Sequence, residues 1–400
     1  MRRLTLLKLV GIVYFIFTAY ALIHIMRVYF EKSHKKDTIS LNFKKTRHTK
    51  TKPNFKVTHN VEIWGKAAIG LYLWQHIFEA SLENTNGKFL RYGELQIENL
   101  KFRFHTGPSV TPQTVKQDVQ NAILVINGRD PKKVKFASTW LKTLTEINKV
   151  KNLAVVLLGN EQCYNNWLMP FMARNGGIIK SAFIIYDVPY IDNVNFHPWP
   201  LGVATYRDFP IVHSDSNLVK ARRKYICNFL GTVYKNSSRI TLINVIKSGK
   251  SFQKDCLLNP RHKWLPGETK ESSDLYQSAM KDSDLTLSPV GKNTECYRIY
   301  EAISYGSVPV IEDVMTPGAC GQSLSDNGLQ TPLRVLKRMH APVIYIKNWN
   351  ELSSIIDRER QYSLDFKIKR RTALLHWYQK FKYNLRNQFI MKIKNGFNLD

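Results

Sequence analysis

Short β-rich runs alternate with longer stretches of helical spacing along most of this 400-residue chain. The first series of runs comprises residues 122–127 (AILVIN), 153–158 (LAVVLL) and 183–186 (FIIY), with helical spacing from Phe136 to Ile147. The second series has predicted strands at 225–231, 284–289, 308–311 and 343–346 and predicted helices at 273–282, 294–305, 349–361 and 365–389. Ahead of both, residues 61–80 are rich in aromatic side chains, and their spacing from Ala67 onward predicts a buried helix. Strands that alternate with helices predict parallel sheets covered by helices.

The two series predict an α/β protein with two Rossmann-like domains that face each other across a cleft. We place the first domain at residues 59–220, the second at 221–348 and a pair of basic helices at 349–400. The runs of the first domain end in polar residues: Asn127-Gly128-Arg129, Gly159-Asn160-Glu161 and Asp187. Ligand groups gather at the carboxyl ends of strands in open parallel sheets, so we expect a nucleotide-binding cleft there.

The first 58 residues differ from the rest in composition. Leu9 to Met26 form an apolar run of 18 residues, just long enough to span a bilayer. We predict a cytoplasmic tail at 1–8, a signal-anchor at 9–28 and a polar, basic stem at 29–58. A cleaved signal peptide is the alternative, because Ala19-Tyr20-Ala21 has the form of a cleavage site. The short tail favours a type II orientation, with the body of the protein in the lumen.

The positive charge is concentrated at the two ends of the chain. The net charge is +28, and residues 1–58 hold 13 Lys and Arg against Glu31 and Asp37, while residues 334–400 hold 15 against five acidic residues. A nucleic-acid-binding protein would show a basic groove interleaved with aromatic residues and a recognisable module, so no nucleic-acid partner is expected. Solvated stem and helix faces account for most of the charge, and a basic cleft for phosphate groups accounts for a smaller part.

Two features agree with a lumenal body. Asn236-Ser237-Ser238 is an acceptor triplet for N-glycosylation. The five cysteines all lie beyond the predicted anchor, at Cys163, Cys227, Cys256, Cys296 and Cys320. No C-x-x-C pair is present, so a zinc site is not expected. The odd number allows one or two disulfides with one thiol remaining, and the pairing stays open.

The segment 284–313 carries the clearest candidate chemistry. It combines a predicted strand, a turn at Pro289-Val290-Gly291 and a helix that Asn293 or Thr294 opens. Backbone N–H groups at the start of a helix bind anions, and a diphosphate suits such a site.

Arg298 and Glu301 lie three positions apart, on one face of this predicted helix. The arginine can bind phosphate oxygens in bidentate fashion. The glutamate, one turn further on, can accept hydrogen bonds from two ribose hydroxyls. A plain ion pair on the helix surface is the alternative for the two residues.

This segment resembles the nucleotide-sugar motif of the exostosin-like glycosyltransferases, which runs strand, Pro-x-Gly, Phe-Arg-x-x-Glu-Ala and Gly-x-x-Pro-Val. The matching residues are Pro289, Gly291, Arg298, Glu301, Ala302, Gly306, Pro309 and Val310, and Tyr297 replaces the usual phenylalanine. Residues 229–239 (FLGTVYKNSSR) resemble the Phe-x-Gly opening of the same domain. The resemblance implies a GT-B-like fold, with the acceptor domain first and the nucleotide-sugar domain second. It implies a nucleotide-sugar site at Gly231, Pro289, Gly291, Thr294, Arg298 and Glu301.

A longer resemblance, to Golgi xylosyltransferases of this family, extends over residues 60–390 and includes AVVLLGNEQC and WPLGVATYRDFP. It implies a UDP-xylose donor and a β1,4 bond to ribitol 5-phosphate on the O-mannosyl glycan of α-dystroglycan. It also implies residence in the Golgi membrane and, as partners, other enzymes of the same glycan pathway. Neither composition nor spacing indicates these substrates.

Asp282-Ser283-Asp284 has the Asp-x-Asp form with which many glycosyltransferases hold Mn²⁺. A metal-binding version normally ends a buried strand, whereas this one precedes the predicted strand at 284–289. We therefore interpret it as a helix terminus and a solvated turn, and expect metal-independent transfer. Arg298 and the helix N-terminus would offset the diphosphate charge.

Transfer from an α-linked donor to a β-linked product inverts the sugar carbon and needs one general base. We expect that base on the first domain. Asp187 and Glu161, which follow strands, are the leading candidates, with His197 and Asp208 behind them. A loop carboxylate or a buried histidine with satisfied hydrogen bonds is the alternative for each.

Two other functions remain open from the residues. One is an exostosin-like transferase with another donor, such as UDP-glucuronic acid or UDP-N-acetylglucosamine. The other is a non-catalytic, lumenal sugar-binding protein. The intact Arg298 and Glu301 argue against the second, although a lectin could retain them.

Overall fold

The computed structural model describes residues 56–85, 89–186, 191–249, 252–263, 265, 267–321 and 332–399. The predicted tail, the signal-anchor and nearly all of the predicted stem lie outside these ranges, and so does Asp187. Within the described ranges, no helix combines the length and the apolar character that a membrane span requires. The described residues all fall within a single unit, Phe55–Asp400.

The first sheet has eight strands in the order β2-β3-β4-β1-β5-β6-β7-β8. They are β1 (His59–Gly65), β2 (Glu83–Thr85), β3 (Leu90–Ile97), β4 (Leu100–Thr106), β5 (Asn121–Asn127), β6 (Asn152–Leu158), β7 (Ile179–Ile185) and β8 (Phe196–Pro198). Strands β4 to β8 in this order are parallel neighbours, whereas β2 and β3 pair antiparallel at one edge. Strands β5 and β6 are apolar runs because both of their faces are buried.

The second sheet has five parallel strands in the order β10-β9-β11-β12-β13. They are β9 (Tyr225–Thr232), β10 (Cys256–Arg261), β11 (Ser283–Ser288), β12 (Val308–Glu312) and β13 (Ile344–Ile346). The four strands predicted in this region match β9, β11, β12 and β13 to within one residue at each end. The predicted α/β class with parallel sheets is confirmed, and the arrangement is consistent with a GT-B-like fold.

Helices connect the strands and cover the sheets. The α-helices are α1 (Ile69–Leu71), α2 (Pro131–Glu146), α3 (Ser216–Lys220), α4 (Ser238–Ser248), α5 (Phe252–Asp255), α6 (Lys270–Lys281), α7 (Tyr297–Ser304), α8 (Arg334–Arg338), α9 (Leu352–Gln361) and α10 (Leu364–Phe397). A π-helix (Tyr72–Ile77) continues α1, and 3-10 turns occupy Pro112–Thr114, Asn166–Phe171, Ala173–Asn175, Thr205–Arg207 and Trp349–Glu351. Helix α2 begins where it does because the Asp130 side chain accepts the Lys133 N–H at 3.0 Å and a proline occupies the first helical position.

The aromatic stretch at 61–80 contains two elements rather than one helix. Its first part belongs to β1, which lies inside the sheet between β4 and β5, and helical structure begins at Ile69. The antiparallel edge was also missed, although residues 101–106 (KFRFHT) alternate strictly. Phe102 and Phe104 face the core, whereas Arg103 and His105 point away from it.

The C-terminal helix α10 contacts elements of both sheets. Near its start, Lys367 and Arg371 pair with Asp284 of β11 at 2.9 and 3.1 Å. Near its end, the carbonyl of Phe397 accepts a hydrogen bond from Asn152 Nδ2 of β6 at 3.3 Å. Asp284 is therefore a buried strand residue with two cationic partners. The prediction of a solvated turn is wrong for it, because the charges that neutralise it come from 83 residues or more along the chain.

Two disulfides are present, Cys163–Cys320 and Cys227–Cys256, and Cys296 is a free thiol. The second of them joins the neighbouring strands β9 and β10. Cys163 follows β6 and Cys320 follows β12, so the first disulfide fastens a loop of one sheet to a loop of the other. Of the one or two disulfides that the cysteine count allowed, the structure has two, with one thiol remaining.

Candidate functional site

The loops at the carboxyl ends of the two sheets meet at one cleft. Asn293, after β11, donates from its side-chain amide to the carbonyl of Glu161, after β6, at 2.8 Å. The Ala319 N–H donates to the carbonyl of Gln162 at 2.9 Å. These contacts and the Cys163–Cys320 bond hold the loops of the two sheets together. Residues at the strand ends of both sheets can therefore contact one ligand in the cleft.

Arg298 lies on α7 and is buried, with 8% of its surface exposed. Its Nη2 donates to the carbonyl of Leu230 at 2.8 Å, and its guanidinium lies 4.9 Å from the centre of the Phe229 ring. Its Nε has no hydrogen-bond partner among the described residues. Helix α7 therefore directs a cation toward the end of β9.

Arg239 is a second buried cation beside it. It lies in the first turn of α4, where its Nη1 donates to the carbonyl of Thr232 at 2.6 Å and its Nε to that of Val290 at 3.3 Å. Burial, together with the neighbouring guanidinium of Arg298, lowers the pKa of Arg239.

Neither guanidinium forms an ion pair with a carboxylate in the part of the chain that the structure describes. Buried charges are normally paired, because an unpaired one loses hydration without compensation. Two adjacent arginines with only carbonyl partners form a site suited to a ligand with more than one negative charge, and phosphate oxygens match the geometry of guanidinium donors.

Two predicted glycines make room for these arginines. A Cβ on Gly231 would lie 2.4 Å from Arg298 Nη2, and a Cβ on Gly291 would lie 2.7 Å from Arg239 Nη2. Both distances are shorter than real side chains permit. Gly231 and Gly291 are thus brought together with Arg298 in one site, and each leaves space for a guanidinium.

Glu301 is buried on the same helix, with 3% of its surface exposed. One carboxyl oxygen accepts the Ala204 N–H at 2.9 Å and the other accepts the Tyr276 hydroxyl at 2.6 Å. Burial raises the pKa of Glu301 despite these hydrogen bonds and the nearby Arg298. Arg298 and Glu301 are therefore not a surface ion pair. Each oxygen retains a lone pair for a further donor.

The turn before α7 differs from its predicted form. The helix begins at Tyr297, with Cys296 as the capping residue, rather than at Asn293 or Thr294. Asn293 Oδ1 accepts the Glu295 N–H at 2.9 Å, and the Thr294 hydroxyl donates to the carbonyl of Val314. These local hydrogen bonds hold the turn open instead of starting the helix. Thr294 is buried, and its hydroxyl is already used within the protein.

Pro289 lies directly after β11 and is also buried. The next residue, Val290, donates its N–H to Glu312 Oε2 at 2.9 Å, and its carbonyl accepts from Arg239. The turn at 289–291 is therefore held from both sides. Its place between β11 and α7 puts Gly291 next to the arginine pair.

Glu161 lies at the opposite side of the cleft. Its Oε2 is 2.7 Å from Arg129 Nη2, and both residues follow strands of the first sheet. Although burial acts to lower the pKa of Arg129, the Glu161 carboxylate raises it. The ion pair holds the Glu161 carboxylate in a fixed position at this side of the cleft.

Three tyrosines surround this ion pair and the start of α7. Burial, followed by Glu161 and Tyr297, raises the pKa of Tyr186, which directly follows β7 in a left-handed conformation at φ 66°. Tyr297 and Tyr206 lie with ring centres 5.6 Å apart. Aromatic faces of this kind are suited to stacking on a base or sugar ring.

The structure also places the other two candidate bases and the glycosylation site that were predicted from the sequence. His197 is buried against Phe183, and burial with the nearby Lys392 lowers its pKa to about 4. Asp208 is exposed in a left-handed turn after the 3-10 turn at Thr205–Arg207. Asn236 lies in an exposed turn before α4, so the glycosylation triplet is accessible.

Two site residues, Arg239 and Arg129, were not singled out from the sequence. Arg239 falls inside the stretch 229–239 that resembles the family motif, and Arg129 follows the β-rich run 122–127. Both could therefore have been proposed from the sequence. Among the described residues, no group of three His, Cys, Asp or Glu side chains is placed to hold a metal ion.

Comparison with known proteins assigns the family. The chain matches models described as the RXYLT1 N-terminal domain, over residues 61–200, and the RXYLT1 C-terminal domain, over residues 206–398. Ribitol-5-phosphate xylosyltransferase 1 of Danio rerio is 49% identical over 344 residues, which cover 85% of this chain and 78% of that protein. The proteins of the same name from Mus musculus and Homo sapiens are 50% and 49% identical over 346 residues, 86% of this chain and 77% of each.

Among solved structures, the G domain of the FeoB iron transporter of T. maritima aligns with a TM-score of 0.22 and 9% identity over 32% of this chain and 87% of its own. That likeness is too low to bear on fold or function. The two domain matches and the identity of about half of the aligned residues lead to one assignment. This chain belongs to the RXYLT1 family, whose named relatives are xylosyltransferases, and it is a glycosyltransferase.

Proposed function

We propose that this chain transfers xylose from UDP-xylose to ribitol 5-phosphate, forming a β1,4 bond on the O-mannosyl glycan of α-dystroglycan. The name shared by three relatives, ribitol-5-phosphate xylosyltransferase 1, supports the sugar and the acceptor. The resemblance of residues 60–390 to Golgi xylosyltransferases supports the donor, the linkage and the glycan.

The pair of buried arginines, Arg239 and Arg298, carries the proposal. A UDP diphosphate would supply the negative charge that the two guanidinium groups lack in the described part of the chain. The leaving UDP gains charge as the bond to xylose breaks, and preorganised cations in a buried site stabilise that charge. Gly231 and Gly291 allow this arrangement, because each leaves the space that a guanidinium fills.

Inversion proceeds by one displacement, in which the acceptor hydroxyl attacks as a base removes its proton. Glu161 is one candidate base, because its ion pair with Arg129 at 2.7 Å holds the carboxylate in place and it lies across the cleft from α7. Asp187 is the other, and it lies outside the described residues. Arg129 would then act as a positioning residue for Glu161.

We further propose that transfer needs no metal ion. Asp284, the second acid of the Asp-x-Asp triplet, is occupied by Lys367 and Arg371 and is buried away from solvent. The two arginines of the cleft can neutralise a diphosphate without a divalent cation.

A donor panel tests the proposal. Residues 45–400, secreted from a eukaryotic host, are offered UDP-xylose, UDP-glucuronic acid and UDP-N-acetylglucosamine with a ribitol 5-phosphate-capped acceptor, with and without EDTA. We expect transfer of xylose alone, unaffected by EDTA. Transfer of another sugar would identify a different exostosin-like transferase, and UDP binding without transfer would identify a sugar-binding protein. Loss of activity in EDTA would refute metal independence.

We propose residence in the Golgi membrane as a type II protein, beside other enzymes of the same glycan pathway. The exposed position of Asn236 makes lumenal exposure measurable. In cells, the full chain should lose mass on treatment with an N-glycosidase, and an Asn236→Gln variant should not. The location would be contradicted if the full chain carried no N-glycan and was absent from the membrane fraction after centrifugation.

A further inference from the structure

A second groove, of about 1120 Å³, lies along the amino-terminal edge of the first sheet. Its wall includes the first residues of β5 and β6, Asn121 and Asn152, and the second residue of β7, Lys180, whereas the nucleotide cleft uses the opposite ends of these strands. A strand rises about 3.3 Å per residue, so a strand of the length of β5 separates the two edges by roughly 20 Å. The groove is therefore distinct from the nucleotide cleft.

The floor of the groove is a polar sheet face whose charges neutralise one another. Glu62 of β1 lies 2.7 Å from His105 Nε2 and 3.1 Å from Arg103 Nη1, both on β4. Arg103 also pairs with Glu94 of β3 at 3.2 Å. Although burial acts to raise it, hydrogen bonds from His105 and Arg103 hold the pKa of Glu62 below its usual value. The floor thus offers hydrogen-bonding groups with little net charge.

One wall of the groove carries a row of amides. Asn121 Nδ2 donates to the carbonyl of Asn60 at 3.1 Å, and Asn121 Oδ1 accepts from Asn152 Nδ2 at 2.7 Å. Asn152 is 5% exposed, and its Oδ1 has no partner among the described residues. This wall is therefore lined by neutral polar side chains, which suit a hydroxyl-rich ligand better than an apolar one.

The rim of the groove carries unpaired positive charge. Lys116, Lys151 and Lys180 line it, and none forms an ion pair with a carboxylate of the described chain. Glu62 and Glu94 are already paired, which leaves Asp118 as the opposing charge on the lining. Three lysines against one free carboxylate favour an anionic ligand over a neutral or cationic one.

We propose that this groove is a second binding site, which takes a phosphate-bearing and hydroxyl-rich segment of the acceptor glycan, remote from the reacting hydroxyl. Polyol hydroxyls would meet the amides of Asn121 and Asn152, and phosphodiester groups would meet the three lysines. The identity of the acceptor rests on the proposed function. The site would raise affinity for long acceptors over short ones, because a second contact adds to the first.

Direct binding tests the groove without the transfer reaction. A synthetic tetramer of ribitol phosphate is titrated into residues 45–400 by calorimetry in the absence of donor. The combined variant Lys116→Gln, Lys151→Gln and Lys180→Gln should bind it roughly tenfold more weakly, since each exposed charge contact contributes modestly. The matched control, Lys132→Gln, Lys133→Gln and Lys135→Gln, removes the same charge from the exposed start of α2 and should bind like the wild type. Equal binding by all three proteins, or an equal loss in both variants, would overturn the proposal.

Two further probes test the ligand chemistry. An oligogalacturonate tetramer and neutral xylotetraose should bind more weakly than the phosphate tetramer. A uronate tetramer that binds as tightly would overturn the assignment to phosphate, and failure of every tetramer would overturn the site. The groove variant should also raise KM for a tetramer-extended acceptor while kcat is retained. Wild-type protein that binds the tetramer but transfers no xylose would refute the proposed function alone. Protein that transfers xylose without binding the tetramer would refute the groove alone.

Discussion

The guanidinium of Arg298 occupies the space that any side chain at position 231 would need. A Cβ on Gly231 would lie 2.4 Å from Arg298 Nη2, the atom that donates to the Leu230 carbonyl at 2.8 Å. A larger residue at position 231 would therefore have to displace the Arg298 guanidinium. This packing holds one of the two cations of the cleft.

Gly231→Ala should displace Arg298 and weaken UDP binding by roughly tenfold, the value of one charged hydrogen-bonding group. Calorimetric titration with UDP measures the effect. Gly267→Ala is the matched control, because a Cβ at Gly267 would meet nothing within 4 Å. If the folded Gly231→Ala variant bound UDP as tightly as the wild type, the role of this contact would be contradicted.

Arg298→Ala should weaken UDP binding by roughly 1.5–3 kcal/mol, and Arg239→Ala by a similar amount, because each removes a cation from the diphosphate site. Arg222→Ala, which removes an exposed arginine, should leave the affinity unchanged. Unchanged UDP affinity in a folded Arg298→Ala variant would refute the phosphate role, whatever its activity.

Glu161→Gln and Asp187→Asn separate the two candidate bases. Loss of a general base typically lowers the rate by about 10²–10⁴-fold, while UDP affinity should be retained. We expect the larger loss of kcat in the variant of the true base. Arg129→Gln should lower kcat and change the pH profile if Glu161 is the base. Should both carboxylate variants keep full kcat, the base lies elsewhere.

Acid should destabilise the fold through His76 and His197. Burial, followed by Lys382 and Lys392 respectively, lowers the pKa of each imidazole to about 4. As pH falls below 6.5, the unfolded chain takes up protons before the folded chain does, so stability present at neutral pH is lost between pH 6.5 and pH 4. The loss should reach roughly 2 kcal/mol per histidine by pH 5.

Urea denaturation at pH 7.5 and pH 5 measures this loss. His197→Leu should reduce the pH dependence, and His213→Gln, at an exposed position, should preserve it. A wild-type free energy of unfolding that is equal at the two pH values would contradict the prediction.

Removing the Cys163–Cys320 bond should cost more stability than removing Cys227–Cys256. The closed loops differ, with sequence separations of 157 and 29 residues, and the entropy lost by the unfolded chain grows with loop length. The chain-entropy relation gives about 5 against about 3.6 kcal/mol. Double Cys→Ala variants, compared by urea denaturation under oxidising conditions, check the order. The reverse order would show that strain or residual structure outweighs loop length.

The local pattern of apolar and polar positions was sufficient to predict much of the fold. Strands with a continuous apolar run, such as β5 and β6, were predictable because burial on both faces leaves a simple signal. The antiparallel strands β3 and β4 were missed, since their alternating pattern includes charged residues that pair across strands. The start of α7 was misplaced because Asn293 and Thr294 form side-chain hydrogen bonds to loop backbone rather than capping the helix.

By itself, the sequence determined the α/β class and the parallel strands and indicated the residues of the candidate nucleotide-sugar motif, because these depend on periodicity and on residues close together in the chain. Only the tertiary structure decided which charges meet. Arg239 joins Arg298, and Arg129 joins Glu161, across 59 and 32 positions, and Asp284 is neutralised by a helix at the far end of the chain. Which charges interact, and which side chain fills the space beside a glycine, depend on distances between atoms in the folded protein. The separation of two residues along the chain does not give those distances.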